Sequence, residues 1–241
     1  MNRRRFFVLL LVTLIMSVTC RAEAGFFDML LEKLGLTGKS SLSEDKIIAG
    51  LKEALSVGTE NTVKLTGKRD GYFANSAIKI LLPDNIQKIE KGLRVIGYGP
   101  RLDQFVLSMN RAAEKAAPLS KEIFLNTIKE MTFDDARKIL TGGDTAATDF
   151  FKSKGYGKLR TAFTPIVDKE LANYEVTKKY KRVVEPYQAL PFADKMPMLD
   201  INKYVVTKSL DGLFYVLGNE ERKIRTNPAA RVTELLKEVF K

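Results

Sequence analysis

Carboxylates are the side chains in this chain best suited to chemistry, because its 241 residues include no histidine and a single cysteine, Cys20. Three acidic groupings could supply an acid and a base for glycoside hydrolysis: Asp134-Asp135, Asp144 with Asp149, and Glu220-Glu221. Asp134, Asp135 and Asp144 stand where helices begin, and acids there usually cap the helix and offset its dipole. Sugar-cleaving sites also tend to stack tryptophan on the ring, and the chain has none. No residue is therefore assigned a catalytic role, and a carboxylate-dependent hydrolase stays only an alternative. A Ser-His-Asp triad and His-ligated zinc or haem are excluded outright by composition. Cysteine chemistry goes too if Cys20 leaves with a leader peptide.

Three other patterns resemble sites and fall short of them. Gly35-Leu-Thr-Gly-Lys-Ser40 is two residues shorter than a phosphate-binding loop and follows no strand signal. Ser43-Glu-Asp-Lys46 has the serine–lysine spacing of penicillin-binding enzymes, but it lies in a helix-start signature without the companion motifs. Asp200-Ile-Asn202 opens like a calcium loop, yet Val205 stands where that loop needs glycine. No metal site and no cofactor is expected.

Two polar groupings are better candidates for binding. Asn110, Arg111 and Glu114 lie within one turn of an alanine-rich segment, Leu102–Pro118, whose apolar residues (Leu102, Phe105, Val106, Met109, Ala113, Ala116) form one helical arc. If that helix is central, these polar groups are partly buried and must be satisfied internally or by a ligand. Arg94 and Asp211 are plausible partners, and Arg111 is the expected anchor for an anionic ligand. The alternative is a polar network that fixes helix register. The second grouping is the basic run Lys178, Lys179, Lys181 and Arg182, either a solvated helix face or a contact for anionic lipid headgroups and other anionic envelope polymers. Nucleic acid is not expected as a partner, because the chain reads as exported.

The elements that must position these groups follow from hydropathy. Met1–Ala24 has the layout of a cleaved secretory signal: Arg3, Arg4 and Arg5, then an apolar run from Phe6 to Val18, then Ala22-Glu23-Ala24. Retention as an anchor would need about 20 apolar residues. Acylation at Cys20 is disfavoured by Ser17 and Thr19 at positions where lipoprotein signals want other residues. Cleavage would take the net charge from +11 to +8 by removing Arg3, Arg4, Arg5, Arg21 and Glu23. A periplasmic location follows from this reading.

Residues 25–41 then read as a short helix (Phe26–Leu34) with a linker, and 42–241 as a single helical domain. The expected fold is an all-α bundle of about nine or ten helices on short links, with one short extended segment or strand near residues 77–82. Asp84 to Ile96 reads as one helix stopping at Gly97, and Asp144 to Phe151 as a helix distinct from Tyr156–Tyr174. Pro165 is expected to kink or break the latter. Glu175–Ala189 reads as a basic amphipathic helix, LPFADKMPML as an irregular connector, and Asp200 as the start of a long helix. Asn227-Pro228 would cap a last helix carrying Val232, Leu235, Leu236 and Val239.

Several stretches together carry a family resemblance: SMNRAAEKAAP, MTFDDARKILTGGDTAAT, YQALP, LDGLFYVLGNEERKIRTNPAAR and a closing LLKEVF. From about Leu42 onward the chain resembles an exported bacterial family known as domain of unknown function 4197. The resemblance implies a secreted, mostly helical single domain with no established activity, so no functional residue is carried over from it.

Taken together, these readings favour a non-enzymatic binding module of the cell envelope, holding an apolar or anionic small molecule such as a lipid between helices near the central one. The alternative from another class is an interaction or scaffold protein without a small ligand. The sequence leaves oligomeric state open.

Overall fold

The computed structural model describes residues 44–173, 175–188 and 199–227. The expected signal segment, the Phe26–Leu34 helix, the Gly35–Ser40 and Ser43 motif positions, the connector over 189–198 and the last helix lie wholly or mainly outside them. Among the described residues the fold is all-helical with no strand. Among the described residues, no helix is long and apolar enough to cross a membrane.

Helix α1 (Glu44–Gly67) buries Ile47, Leu51, Ala54 and Leu55 along one side. A non-helical stretch, 68–83, follows. Asp84 to Ile96 is not one helix: α2 (Asp84–Gln87) and α3 (Glu90–Val95) are separated at Lys88-Ile89, and Ile96 is exposed instead of sharing a core face. Gly97 then takes a left-handed φ of +88°, a conformation that costs glycine least.

Helix α4 (Gly99–Ala116) is the expected central helix, begun three residues earlier with Pro100 in its first turn. Leu102, Phe105, Met109, Ala112, Ala113 and Ala116 are fully buried. It packs against α1 and three later helices: α7 (Ala146–Asn173), α8 (Val176–Gln188) and α9 (Ile201–Thr226). A 3₁₀ turn, Ala117–Leu119, leads from it into α5 (Ser120–Lys129), and α6 (Phe133–Thr141) follows. Thr132 and Asp135 form a complete capping box at the start of α6.

The two helices expected over 144–174 are one. α7 runs unbroken past Gly155, Gly157 and Pro165. Pro165 is exposed, so the Thr161 carbonyl that loses its amide partner lies on the solvent side, where water can bond it. Gly155 is buried inside the helix, and a Cβ there would make ordinary contacts, 3.8–3.9 Å from Thr127 and Ile123 of α5, so the glycine marks neither a turn nor a clash. Phe124 of α5 closes the core between α7 and α9, with ring centroids 5.1 Å from Phe151 and 6.0 Å from Phe214. Each such fully buried ring contributes roughly 1.5–3 kcal/mol.

Candidate functional site

The stretch 68–83 has no helix or strand to satisfy its backbone, and α4 supplies the missing partners. Asn110 Oδ1 accepts from Ile80 N–H at 2.8 Å while Asn110 Nδ2 donates to the Ile80 and Val106 carbonyls, both at 2.8 Å. Glu114 Oε1 accepts from the Tyr72 and Phe73 amides at 3.1 Å, and its Oε2 accepts from Arg111 Nη1 at 2.6 Å. Arg111 Nη2 reaches Asp70, which holds a left-handed φ of +64° at the turn, at 2.7 Å. Burial opposes the charge on Arg111, yet its bonds to Glu114 and Asp70 outweigh that and raise its pKa. Asn110, Arg111 and Glu114 thus stand together, as their spacing suggests, each bonded to the protein itself.

Arg94 and Asp211 lie apart from this cluster. Arg94, at the end of α3, is bonded to Glu90 at 2.8 Å and Asp103 at 2.7 Å. The bond to Asp103 raises the arginine's pKa and holds the Asp103 carboxyl below its usual range. Asp211 is exposed on α9.

The buried face of α4 is closely packed, with Leu102, Phe105, Met109, Ala112, Ala113 and Ala116 fully buried, and a space of about 310 Å³ lies beside Asp103 and Val106 on its other side. An apolar space between α1, α7 and α9, lined by Leu51, Gly58, Phe151 and Leu217, measures only about 20 Å³, room for one water at most. A larger space lies at the surface. An open groove of about 690 Å³ runs between residues 77–87 and the first half of α9. Leu81, Pro83, Leu199, Tyr204 and Tyr215 give it apolar walls, and Lys79, Lys208, Asp84 and Asp211 place charge along it. None of these four charged groups makes an ion pair among the described residues.

The groove's wall is pinned from both sides. Behind it, Asn110 holds Ile80. In front, Tyr204 Oη donates to the Leu81 carbonyl at 3.1 Å, and Gln87 Nε2 donates to the Leu82 carbonyl at 2.5 Å. Burial, with Asp84 nearby, pushes the Tyr204 hydroxyl up to about 12, so it remains a donor across the physiological range. Tyr72 anchors the base. Its ring lies against α9 so closely that a Cβ at Gly212 would come within 2.7 Å of it, and its hydroxyl donates to the Ser209 carbonyl at 2.6 Å. Burial, then the charges of Glu114 and Asp211, raise its pKa well above the ordinary tyrosine value.

The basic run is divided by Tyr180, which is buried with its ring 6.1 Å from Phe105 and its hydroxyl bonded to Asn85 Nδ2 and Leu199 N–H. Lys178 pairs with Glu175 at 2.7 Å, while Lys181 and Arg182 are exposed and Lys179 is half-buried.

Three of the acids named from sequence are engaged by the protein itself. The Asp135 carboxyl accepts from the Thr132 hydroxyl and amide, which hold it below the usual range. Glu220 pairs with Lys223, and Glu221 accepts from the Ala147 and Thr148 amides and from Arg225. Asp200 caps α9 through the Lys203 amide instead of opening a calcium loop, and no cluster of three metal-ligating side chains occurs among the described residues. Two carboxylates of the large groove, Asp84 and Asp211, lie 127 positions apart in the chain, and only Asp211 is among the residues the sequence singles out.

No curated protein and no solved structure matches the chain at a significant level. A profile of the family described as "Protein of unknown function (DUF4197)" matches residues 41–241, a span that takes in the α4 cluster, both walls of the groove and every helix described above. The chain therefore belongs to the DUF4197 family.

Proposed function

We propose that the protein is a non-catalytic binding module of the cell envelope, and that its ligand is a small amphiphilic molecule lying in the groove between residues 77–87 and α9. One observation carries this reading. A groove of about 690 Å³ falls in the usual range of small-molecule sites, has apolar walls, and presents Lys79 and Lys208 without ion-pair partners among the described residues. The apolar body of a lipid-like or other anionic molecule would cover Leu81, Tyr204 and Tyr215, and its head would meet a lysine. Arg111, the anchor expected from sequence, supports such a site indirectly, through Glu114 and the wall it holds.

The test is paired native and denaturing mass spectrometry on protein exported through its own leader and purified without detergent. A native mass above the denatured one, with the excess extracted by organic solvent and lost in Lys79→Ala/Lys208→Ala, is the expected result. Equal masses would point away from a carrier.

Asp84 and Asp211 favour one second reading, a hydrolase that uses two carboxylates of the same groove. Hydrolysis of a chromogenic ester or glycoside panel that vanishes in both Asp84→Asn and Asp211→Asn would support it. Activity indifferent to both changes would dismiss it.

A further inference from the structure

Val95 and Ile96 are adjacent in the chain and more exposed than any other large apolar residue described, at 87% and 63%. They stand at the apex where α3 ends and Gly97 turns the chain back into α4. Leu93, 3% exposed, ties α3 to the core. At about 100° per residue, Lys91 and Val95 then fall side by side on the face opposite Leu93, and Lys88 is exposed just before the helix begins. Arg101 completes the surround, its guanidinium 4.7 Å over the Tyr98 ring.

The charge here is one-sided. Lys88, Lys91 and Arg101 make no ion pair among the described residues, while the neighbouring acids Glu90 and Asp103 are both taken by Arg94. Two bulky apolar side chains in water, surrounded by uncompensated cations, match a surface that is apolar beneath and anionic at its boundary. A second copy of the chain meeting this apex symmetrically would set cation against cation.

We propose that this apex docks the protein on an anionic lipid surface: Val95 and Ile96 enter the acyl boundary while Lys88, Lys91 and Arg101 meet the phosphate headgroups. The long stems of the lysines let their ammonium groups stay at headgroup level while the apolar tip sinks below. This surface is separate from the groove and needs no ligand there.

The chain lacks tryptophan, so Ile96→Trp places a sole indole at the apex. Mixed phosphatidylglycerol–phosphatidylcholine vesicles should shift its emission to the blue, phosphatidylcholine vesicles alone should not, and added salt should reverse the shift. In the parent sequence, Val95→Ser/Ile96→Ser should weaken sedimentation with the mixed vesicles about tenfold or more, at an unchanged melting temperature. An unshifted indole on protein that sediments with the vesicles would assign contact to another surface, such as Lys178–Arg182 or residues 1–24, and overturn the proposal. So would failure to bind the mixed vesicles, an equal shift on neutral ones, or a concentration-dependent shift without vesicles, which would mean self-association.

Discussion

Asn110 and Glu114 sit one turn apart on α4, and between them satisfy three amides and a carbonyl of residues 72–80 that have no ladder of their own. Asn110→Ala would leave the N–H and C=O of Ile80 buried without partners. At about 1–3 kcal/mol for each orphaned group, urea titration should register a loss of about 3 kcal/mol. Asn110→Asp would keep the acceptor, lose the donor and bury a charge, so it should be no milder. Acid should act through different residues. The carboxyls of Asp103 and Asp135 are held below their ordinary values by Arg94 and Thr132. They favour the folded state at and above about pH 4, and that contribution fades as pH falls through their lowered values. Unfolding free energy should therefore decline on acidification below about pH 4. Thr132→Ala should reduce the part of the decline due to Asp135 and cost about 1 kcal/mol at neutral pH through the lost cap.

At the scale of elements, the sequence is most informative where one face of a helix meets a uniform core. The arc from Leu102 to Ala116 identifies α4 and its burial, and the acids Asp134 and Asp135 mark the start of α6. It misleads where residue type has two uses. Pro165 suggests a kink or break, and 144–151 reads as a helix apart from 156–174, yet packing of Phe151, Leu159, Phe163 and Val167 keeps α7 continuous. Ile86, Ile89 and Leu93 suggest one helix, yet the chain divides at Lys88-Ile89. Pro165→Ala should restore an amide to the Thr161 carbonyl and raise stability by roughly 1–3 kcal/mol, read as a higher melting temperature. Gly212→Ala should do the reverse. Its methyl group would press on Tyr72 and Ile78, at an expected cost of about 1–3 kcal/mol.

At the scale of the whole molecule, the groove was hidden from sequence because its walls come from segments more than a hundred residues apart, joined only by folding. Asp211 and the α4 cluster were visible as polar residues in apolar surroundings, but their separation into a groove and a buried support was not. That support has a consequence for solvent exchange. The amide protons of Tyr72, Phe73 and Ile80 are each bonded to a side chain of α4, so exposing them to deuterium requires the whole stretch to come away from Asn110 and Glu114 in one opening event. A molecule lodged in the groove would hold that stretch down from the opposite side. Occupancy should then slow deuterium uptake at the Tyr72 and Phe73 amides, which lie outside the groove's lining, a signature readable before the ligand's identity is known.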